Sequence, residues 1–168
     1  DGSGLASVVM WDPESKVKTA SNEPAIPNFE GSQIYKFVED NNGPGVQHIA
    51  FHVPDIQDTV EILQKRGLGF LDVPDTYYQM LPKRLEEHKV TNFSEDINHL
   101  RDLGVLVDGD DDKYLLQLFM QEGALMYEEA SAGPFFYEII QRKGARLFGE
   151  GNFRALFESI EREQNSRS

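Results

Sequence analysis

The order of strand and helix patterns along the chain predicts an α+β fold. From Val46 onward the patterns follow the order strand, helix, strand, two helices and three strands. Two more strand patterns precede this series, so the sequence opens on what reads as the end of a similar module. Its 168 residues suffice for one compact domain with a hydrophobic core and are too few for two independent domains.

The first part of the chain predicts a hairpin and a short helix. The Val-rich segment from Leu5 to Met10 predicts a strand that pairs with Lys16 to Ala20 across the turn Asp12-Pro13-Glu14. A loop with two prolines follows from Ser21 to Gly31. The helix from Ser32 to Glu39 ends before a turn cluster rich in Asn and Gly.

The next part predicts a strand, a helix, a short strand and two helices. Val46 to Val53 alternates as a strand, and Asp55 can cap a helix whose apolar residues recur every three or four positions. Leu68 to Val73 predicts a short strand, and Pro74-Asp75 opens the next helix. The helix predicted from Glu95 to Leu103 ends before a glycine.

Three strands and a helix complete the series. The strands are predicted at Val105 to Asp108, Tyr114 to Met120 and Pro134 to Arg142. Asp110-Asp111-Asp112 predicts an acidic, solvated turn between the first two strands. The apolar stripe that follows Asn152 predicts a C-terminal helix.

Composition narrows the classes of partner and of metal ligand. The net charge of −13 repels phosphate groups, so we expect neither nucleic acid nor anionic membranes as partners. No apolar run approaches the ~18 residues of a membrane helix, and no signal-peptide pattern opens the sequence. Cysteine is absent, which leaves His and carboxylates as candidate metal ligands and fits a cytoplasmic protein.

Two histidines share one face of the strand from Val46 to Val53. Side chains alternate along a strand, so His48, Ala50 and His52 lie opposite Ile49, Phe51 and Val53, which we expect to face the core. A single histidine in such a place is more often a half-buried residue with a hydrogen bond than a ligand.

Glu138 favours the interpretation of a histidine on this face as a metal ligand. It lies among aromatic residues and isoleucines, where an unpaired carboxylate costs several kcal/mol. It must therefore face water or a cation. Together with two histidines it would complete the facial triad of non-haem Fe(II) oxygenases.

Two further features need an explanation. Gln117 lies inside the apolar strand that contains Phe119, where its amide either makes a cross-strand hydrogen bond or faces a site. The glycine-rich run from Phe148 to Phe153 follows no strand of a βαβ unit and lacks a third glycine, so dinucleotide binding is not expected. The residues alone thus predict a possible mononuclear metal site in a β-rich domain.

Several segments, in order and spacing, resemble the 4-hydroxyphenylpyruvate dioxygenase family. They are Asn22-Glu23-Pro24, Ser32-Gln33-Ile34, Gly43 to Ala50, Thr76-Tyr77-Tyr78, Leu115 to Phe119, Phe136 to Arg142 and Phe148 to Phe153. The resemblance covers nearly the whole chain. It implies a vicinal-oxygen-chelate fold of paired βαβββ modules around a cupped mixed sheet, with a C-terminal helix.

The resemblance also implies a domain plan and a metal site. Residues 1–45 would end one module and add a linker helix, and residues 46–168 would form a complete module, together one C-terminal catalytic domain whose N-terminal half is absent. His48 and Glu138 would be two of three Fe(II) ligands. The third, a histidine, falls upstream of residue 1, and neither His52, His88 nor His99 takes its place.

The substrate pocket and the reaction follow from the same resemblance. Catalytic roles fall on Gln117, Asn152 and Phe153, and the substrate-binding set is Ser7, Asn22, Gln33, Gln47, Gln117, Phe119, Phe136, Phe148 and Phe153. The implied reaction converts 4-hydroxyphenylpyruvate and O2 into homogentisate and CO2 during tyrosine breakdown. The full-length enzyme would be a homo-oligomer, and this chain alone would be inactive.

Two alternatives stay open. A 4-hydroxymandelate synthase uses the same substrate and iron but hydroxylates the side-chain carbon. Synthases tend to carry a smaller aliphatic residue at the position of Phe153, so phenylalanine there favours attack on the ring. A non-catalytic domain that kept the fold would suit the missing ligand, but the retained polar residues argue against it. The acidic segment from Gln121 to Ala132 has no functional explanation from the sequence.

Overall fold

A computed structural model describes residues 5–26, 32–145, 149 and 151–152. Within these residues, six strands and five helices succeed one another along the chain. They are β1 (Leu5–Trp11), β2 (Lys18–Pro24), α1 (Gln33–Asp40), β3 (His48–His52), α2 (Ile56–Lys65), α3 (Asp75–Glu87), α4 (Ile97–Leu103), β4 (Leu106–Asp110), β5 (Lys113–Phe119), α5 (Gly123–Met126) and β6 (Phe136–Lys143).

A four-stranded mixed sheet forms the centre of the molecule. Its strands lie in the order β3, β6, β5, β4, and only β3 and β6 run parallel. A parallel pair needs a long crossover, which α2, α3, α4 and two antiparallel strands supply. The series from β3 to β6 is therefore a βαβββ unit with helices inserted after the first one.

The helices cover one face of this sheet. Leu116, Leu118 and Ile139 point to that face and pack with the buried residues Ile56 of α2 and Leu81 of α3. A side-chain cap fixes where α2 begins. The Asp55 carboxylate accepts hydrogen bonds from the backbone N–H groups of residues 57 and 58. Burying these apolar side chains is the main stabilising contribution, about 25 cal/mol per Å² removed from water.

The strand predicted from Leu68 to Val73 is wrong. The segment makes one isolated bridge, between Phe70 and Met120, with flanking hydrogen bonds from Leu71 N to Phe119 O and from Gln121 N to Gly69 O. β4 pairs with β5 from Lys113 to Gln117. On that side, only the last residues of β5 can therefore bond to a further segment. Pro74 then begins the turn into α3.

The predicted core face of β3 is also wrong. Ile49 is 45% exposed and Phe51 is 50% exposed, while Val53 is half-buried against the core. β3 pairs on one side only, with β6, and is therefore an edge strand. Alternation shows which residues share a face, but not whether another element covers that face.

The N-terminal hairpin is a separate two-stranded sheet. β1 and β2 pair antiparallel from Leu5 opposite Pro24 to Trp11 opposite Lys18, so the second strand is longer than predicted. Apolar side chains on β1, among them Val8, Met10 and Trp11, are exposed. α1 contacts this hairpin through β2 and connects it to the larger sheet.

Smaller differences concern a cap, a turn and the acidic segment. The helix predicted to follow Ser94 begins at Ile97, because the Asp96 side chain accepts the capping hydrogen bond from Asn98 N. The acidic turn is more than a solvated tip, since Asp112 accepts hydrogen bonds from the backbone and hydroxyl of Thr91. The segment from Gln121 to Ala132 folds into α5 and one 3-10 turn.

No helix among the described residues combines the length and the apolar character needed to cross a membrane.

Candidate functional site

His48 and Glu138 meet on the face of the sheet opposite α2 and α3, which is called the open face because those helices pack on the other one. In the parallel pairing of β3 and β6, His48 lies opposite Phe136 and Ala50 opposite Glu138, so all four residues share this face. The Nε2 atom of His48 lies 3.5 Å from Oε2 of Glu138.

Neighbours fix the orientation of the His48 ring. The ring stacks on Phe136 with centroids 5.0 Å apart, and its Nδ1 lies 3.2 Å from Oε1 of Gln47. Because an amide oxygen only accepts, this contact places the proton on Nδ1. The lone pair of Nε2 then faces Glu138, as a metal ligand requires.

Burial leaves the Glu138 carboxylate without full compensation. The residue is 4% exposed, and its Oε1 atom has no hydrogen-bond partner among the described residues. Burial raises the pKa of Glu138 to about 7, against an opposing attraction from Arg142. Burial likewise lowers the pKa of His48. A cation beside both groups would compensate both costs, so the pair fits a divalent metal ion.

The described residues would supply two ligands to such an ion. They contain no cluster of three His, Asp or Glu side chains able to hold a metal. His52 lies on the same strand opposite Ile140, and His88 follows the end of α3. His99 pairs with Glu61 at 3.6 Å. The expectation that a third ligand comes from outside this chain stays a prediction.

Gln117 lies on the same face, on β5, which is the strand next to β6. Gln117 lies opposite Ile140 of β6. Phe119, two residues further along β5, lies opposite Glu138. The side chain is fully buried, yet neither amide atom has a partner in the described part of the chain. The cross-strand hydrogen bond considered from the sequence is therefore absent there, which favours a side chain that faces a site.

Aromatic side chains border His48 and Glu138. Phe119 and Phe136 meet edge to face with centroids 5.9 Å apart, and Phe136 also stacks on His48. Edge-to-face contacts hold aromatic rings in defined orientations. The two rings therefore form a rigid apolar wall beside Glu138.

A glycine-rich turn covers this face from above. Gly149 has a left-handed backbone with φ 79°, which favours glycine, and a Cβ atom there would force the Gln117 amide to move. Gly151 donates its N–H to Oδ2 of Asp108 at 3.0 Å. Asn152, the next residue, is fully buried. The turn thus closes over Gln117 and carries Asn152 with it.

Sequence reasoning missed two residues that hold this turn. They are Asp108 on β4 and Tyr77 on α3, whose hydroxyl lies 2.6 Å from Oδ1 of Asn152. Both look like ordinary strand and helix residues in the sequence. The buried tyrosine within the Thr76-Tyr77-Tyr78 motif was the available signal.

Of the remaining predicted pocket residues, three lie on the hairpin and α1, and two lie outside the residues that the structure describes. Ser7 donates to Oδ1 of Asn22 at 2.6 Å across the hairpin, where both are exposed. Gln33 is exposed at the first residue of α1. Phe148, Phe153 and the predicted C-terminal helix lie outside the described residues.

Curated relatives match nearly the whole chain. Hemolysin VllY of Vibrio vulnificus is 46% identical over 98% of this chain and 42% of its own length. The 4-hydroxyphenylpyruvate dioxygenases of Legionella pneumophila and Dictyostelium discoideum are 46% and 44% identical, each over 98% of this chain and 43% of their own length. The chain thus spans less than half of these relatives. No model of a known protein family matches it.

Solved structures confirm the fold. A triple mutant of 4-hydroxymandelate synthase from Streptomyces coelicolor matches 95% of this chain and 42% of its own, at 36% identity and a TM-score of 0.66. A fusion of a xylose isomerase-like TIM barrel with 4-hydroxyphenylpyruvate dioxygenase matches 95% of this chain and 25% of its own, at 24% identity and a TM-score of 0.57. The chain has the vicinal-oxygen-chelate fold that its sequence predicts.

Proposed function

We infer the function of this chain from the family to which it belongs, that of the 4-hydroxyphenylpyruvate dioxygenases. We propose that it forms part of an enzyme that converts 4-hydroxyphenylpyruvate and O2 into homogentisate and CO2 during tyrosine breakdown. The observation that supports this most strongly is the contact between half-buried His48 and buried Glu138, on the same face as Gln117, whose amide has no partner among the described residues.

His48 and Glu138 would hold Fe(II) together with a third ligand from outside this chain. When bound, Fe(II) would supply chelation of the 2-oxo acid and the electrons that activate O2. Gln47 contributes by keeping the proton of His48 on Nδ1. Glu138 must lose its proton to act as a ligand, and its raised pKa means that protons compete with the metal near neutral pH.

The open face supplies the substrate pocket. The carboxylate and keto oxygen of the substrate would be at the metal, so its ring extends along the face past Phe119 and Phe136. The Gln117 amide, which has no partner among the described residues, is then available to a polar atom of the substrate. Holding the ring in one orientation matters, because a misplacement of about 1 Å can lower the rate about 100-fold.

The two alternative functions have weaker support. Identity to the dioxygenases reaches 46%, against 36% to the 4-hydroxymandelate synthase structure. A scaffold without chemistry would have no use for buried polar groups that lack partners, because each costs roughly 1–3 kcal/mol.

The remaining partners follow from the same proposal. The substrates are 4-hydroxyphenylpyruvate and O2, and the complete enzyme is a homo-oligomer in the cytoplasm. The absence of cysteine fits a cytoplasmic location, and the acidic surface fits a protein that binds neither nucleic acid nor anionic lipids.

Product analysis tests the function. The complete protein, purified with Fe(II), is incubated with 4-hydroxyphenylpyruvate in air, and the products are separated by chromatography. Homogentisate as the main product supports the dioxygenase, and 4-hydroxymandelate would identify a synthase instead. The 168-residue chain alone should give neither product, and turnover by it would show that its own residues complete the ligand set.

A further inference from the structure

The Tyr77 hydroxyl joins α3, the edge of β4 and the glycine-rich turn. It accepts a hydrogen bond from Val107 N at 2.9 Å, and it lies 3.0 Å from Val107 O and 2.6 Å from Oδ1 of Asn152. The tyrosine side chain is almost fully buried, and burial raises its pKa, so the hydroxyl keeps its proton. One side chain thus bonds to the sheet edge and to the site.

The Tyr77 hydroxyl donates its single hydrogen bond to Oδ1 of Asn152. A phenol donates one hydrogen bond, and two acceptors compete for it here. Val107 O has a second donor, because Nη2 of Arg84 lies 3.4 Å away. Oδ1 of Asn152 is also the nearer acceptor. The hydrogen bond from Tyr77 to Asn152 is therefore the favoured one.

This bond sets the orientation of the Asn152 amide. With Oδ1 accepting from Tyr77, the Nδ2 group is the end of the amide that points away from the hydroxyl. Its Nδ2 group is buried and makes no hydrogen bond to any residue that the structure describes. A buried donor of this kind suits a ligand acceptor, since it is costly to leave unpaired.

The backbone around Asn152 is held independently. Its N–H donates to Gly149 O at 3.0 Å, and Gly151 N donates to Asp108. Gly149 in turn packs against the Gln117 amide. The backbone of the turn is thus fixed without Tyr77, and the hydroxyl controls the side-chain amide.

We infer that Tyr77 is a positioning residue of the proposed reaction: it orients the Asn152 amide so that its N–H donor faces the substrate. The inference builds on the proposed function. It assigns to α3, a helix on the far side of the sheet edge, a part in catalysis that its sequence does not suggest.

The test compares matched hydroxyl deletions in the complete, iron-loaded protein. Tyr77→Phe removes the hydroxyl that binds Asn152. Tyr78→Phe makes the same change one residue on, where the buried hydroxyl has no partner in the described chain. We expect Tyr77→Phe to lower kcat about tenfold with unchanged iron content, and Tyr78→Phe to keep the wild-type kcat.

Two Asn152 variants show whether Tyr77 acts through that residue. Asn152→Asp keeps an acceptor for Tyr77 and removes the amide donor, so kcat should fall. Because a buried carboxylate also destabilises the fold, kcat is compared per folded, iron-loaded protein. In the Asn152→Ala background, Tyr77→Phe should lower kcat no further, because a shared interaction is lost only once.

Each outcome decides the inference. Additive losses of kcat in the double variant, or a wild-type kcat in Tyr77→Phe or Asn152→Asp, would overturn it. An equal loss in Tyr78→Phe would show a structural effect of the helix and would also overturn it. If the wild-type protein forms no homogentisate, the proposed function fails first and the inference fails with it.

Discussion

The two faces of the four-stranded sheet differ in how the buried amide and carboxylate side chains of the strands are satisfied. On the helix-covered face, Leu116, Leu118 and Ile139 are buried against other apolar side chains. Even its buried amide, Gln141, is paired: it accepts from Ile56 N and donates to Pro54 O. On the open face, Gln117 and Glu138 are equally buried and keep polar atoms without partners among the described residues.

This difference separates stability from function within one sheet. A buried amide with two partners is neutral or favourable to folding, whereas an unpaired one destabilises the fold. Gln141 and Gln117 lie on neighbouring strands and are both buried, so sequence type and burial do not distinguish them. Only the partners do, and the unsatisfied face is the one that a ligand can complete.

The largest effect is expected at the metal. Glu138→Gln should abolish Fe(II) binding by the complete protein, because a neutral amide is a poor ligand and one of three ligands is lost. Metal content after gel filtration measures this. Glu95→Gln is the matched control: that carboxylate is also buried, but it is paired with Lys143 and Tyr114. Stoichiometric iron in Glu138→Gln would remove Glu138 from the site.

A core truncation on the helix-covered face should have the next largest effect. Leu116→Ala should lower the free energy of unfolding by about 4 kcal/mol, because Leu116 is fully buried and its removal leaves a cavity. Urea denaturation of the metal-free protein measures the loss. At urea concentrations below the unfolding midpoint, the complete Leu116→Ala protein should still bind iron. A loss under about 1 kcal/mol would show that the helices do not cover this strand tightly.

The pH dependence of stability should identify Glu138 in the metal-free protein. Its pKa rises from 4.5 to about 7 on folding, so the folded state binds the proton more tightly. The free energy of unfolding should therefore fall by up to about 3 kcal/mol as the pH rises from 4.5 to 7. Glu138→Gln should lack this component of the profile. His48 has the opposite sign, since its lowered pKa reduces stability as the pH falls.

The smallest effect tests the open face directly. Gln117→Leu should raise the free energy of unfolding by about 1 kcal/mol, because it replaces two unpartnered polar atoms with apolar ones of similar volume. The same change at Gln141, which loses two hydrogen bonds, should lower it. Activity of the complete protein should fall in Gln117→Leu. Equal destabilisation by both changes would erase the contrast between the faces.

Local patterns predicted much of the sheet and identified His48 and Glu138 as candidate metal ligands. Alternation placed His48 and Ala50 on one face, and an isolated carboxylate among apolar residues identified Glu138; the structure brings the two together at 3.5 Å. The family resemblance then supplied the iron, the reaction and the pocket residues. Neither route gave the register that sets Ala50 opposite Glu138, because register depends on long-range pairing.

Tertiary contacts account for what the sequence did not show. Tyr77 and Asp108 act through residues 75 and 43 positions away, and nothing local to either marks those contacts. Ile49 and Phe51 have a core pattern yet lie exposed on an edge strand. Leu68 to Val73 has a strand composition, but β4 occupies most of the neighbouring edge of β5.

The hairpin gives the protein a built-in optical reporter. Trp11 is the single tryptophan of the sequence, and it is 55% exposed at the end of β1. Its fluorescence therefore reports on this hairpin alone, with an emission maximum near that of a hydrated indole. Any polypeptide that came to cover β1 would shift this emission to shorter wavelength and protect it from iodide quenching. Titration with added protein segments can thus be followed without a label.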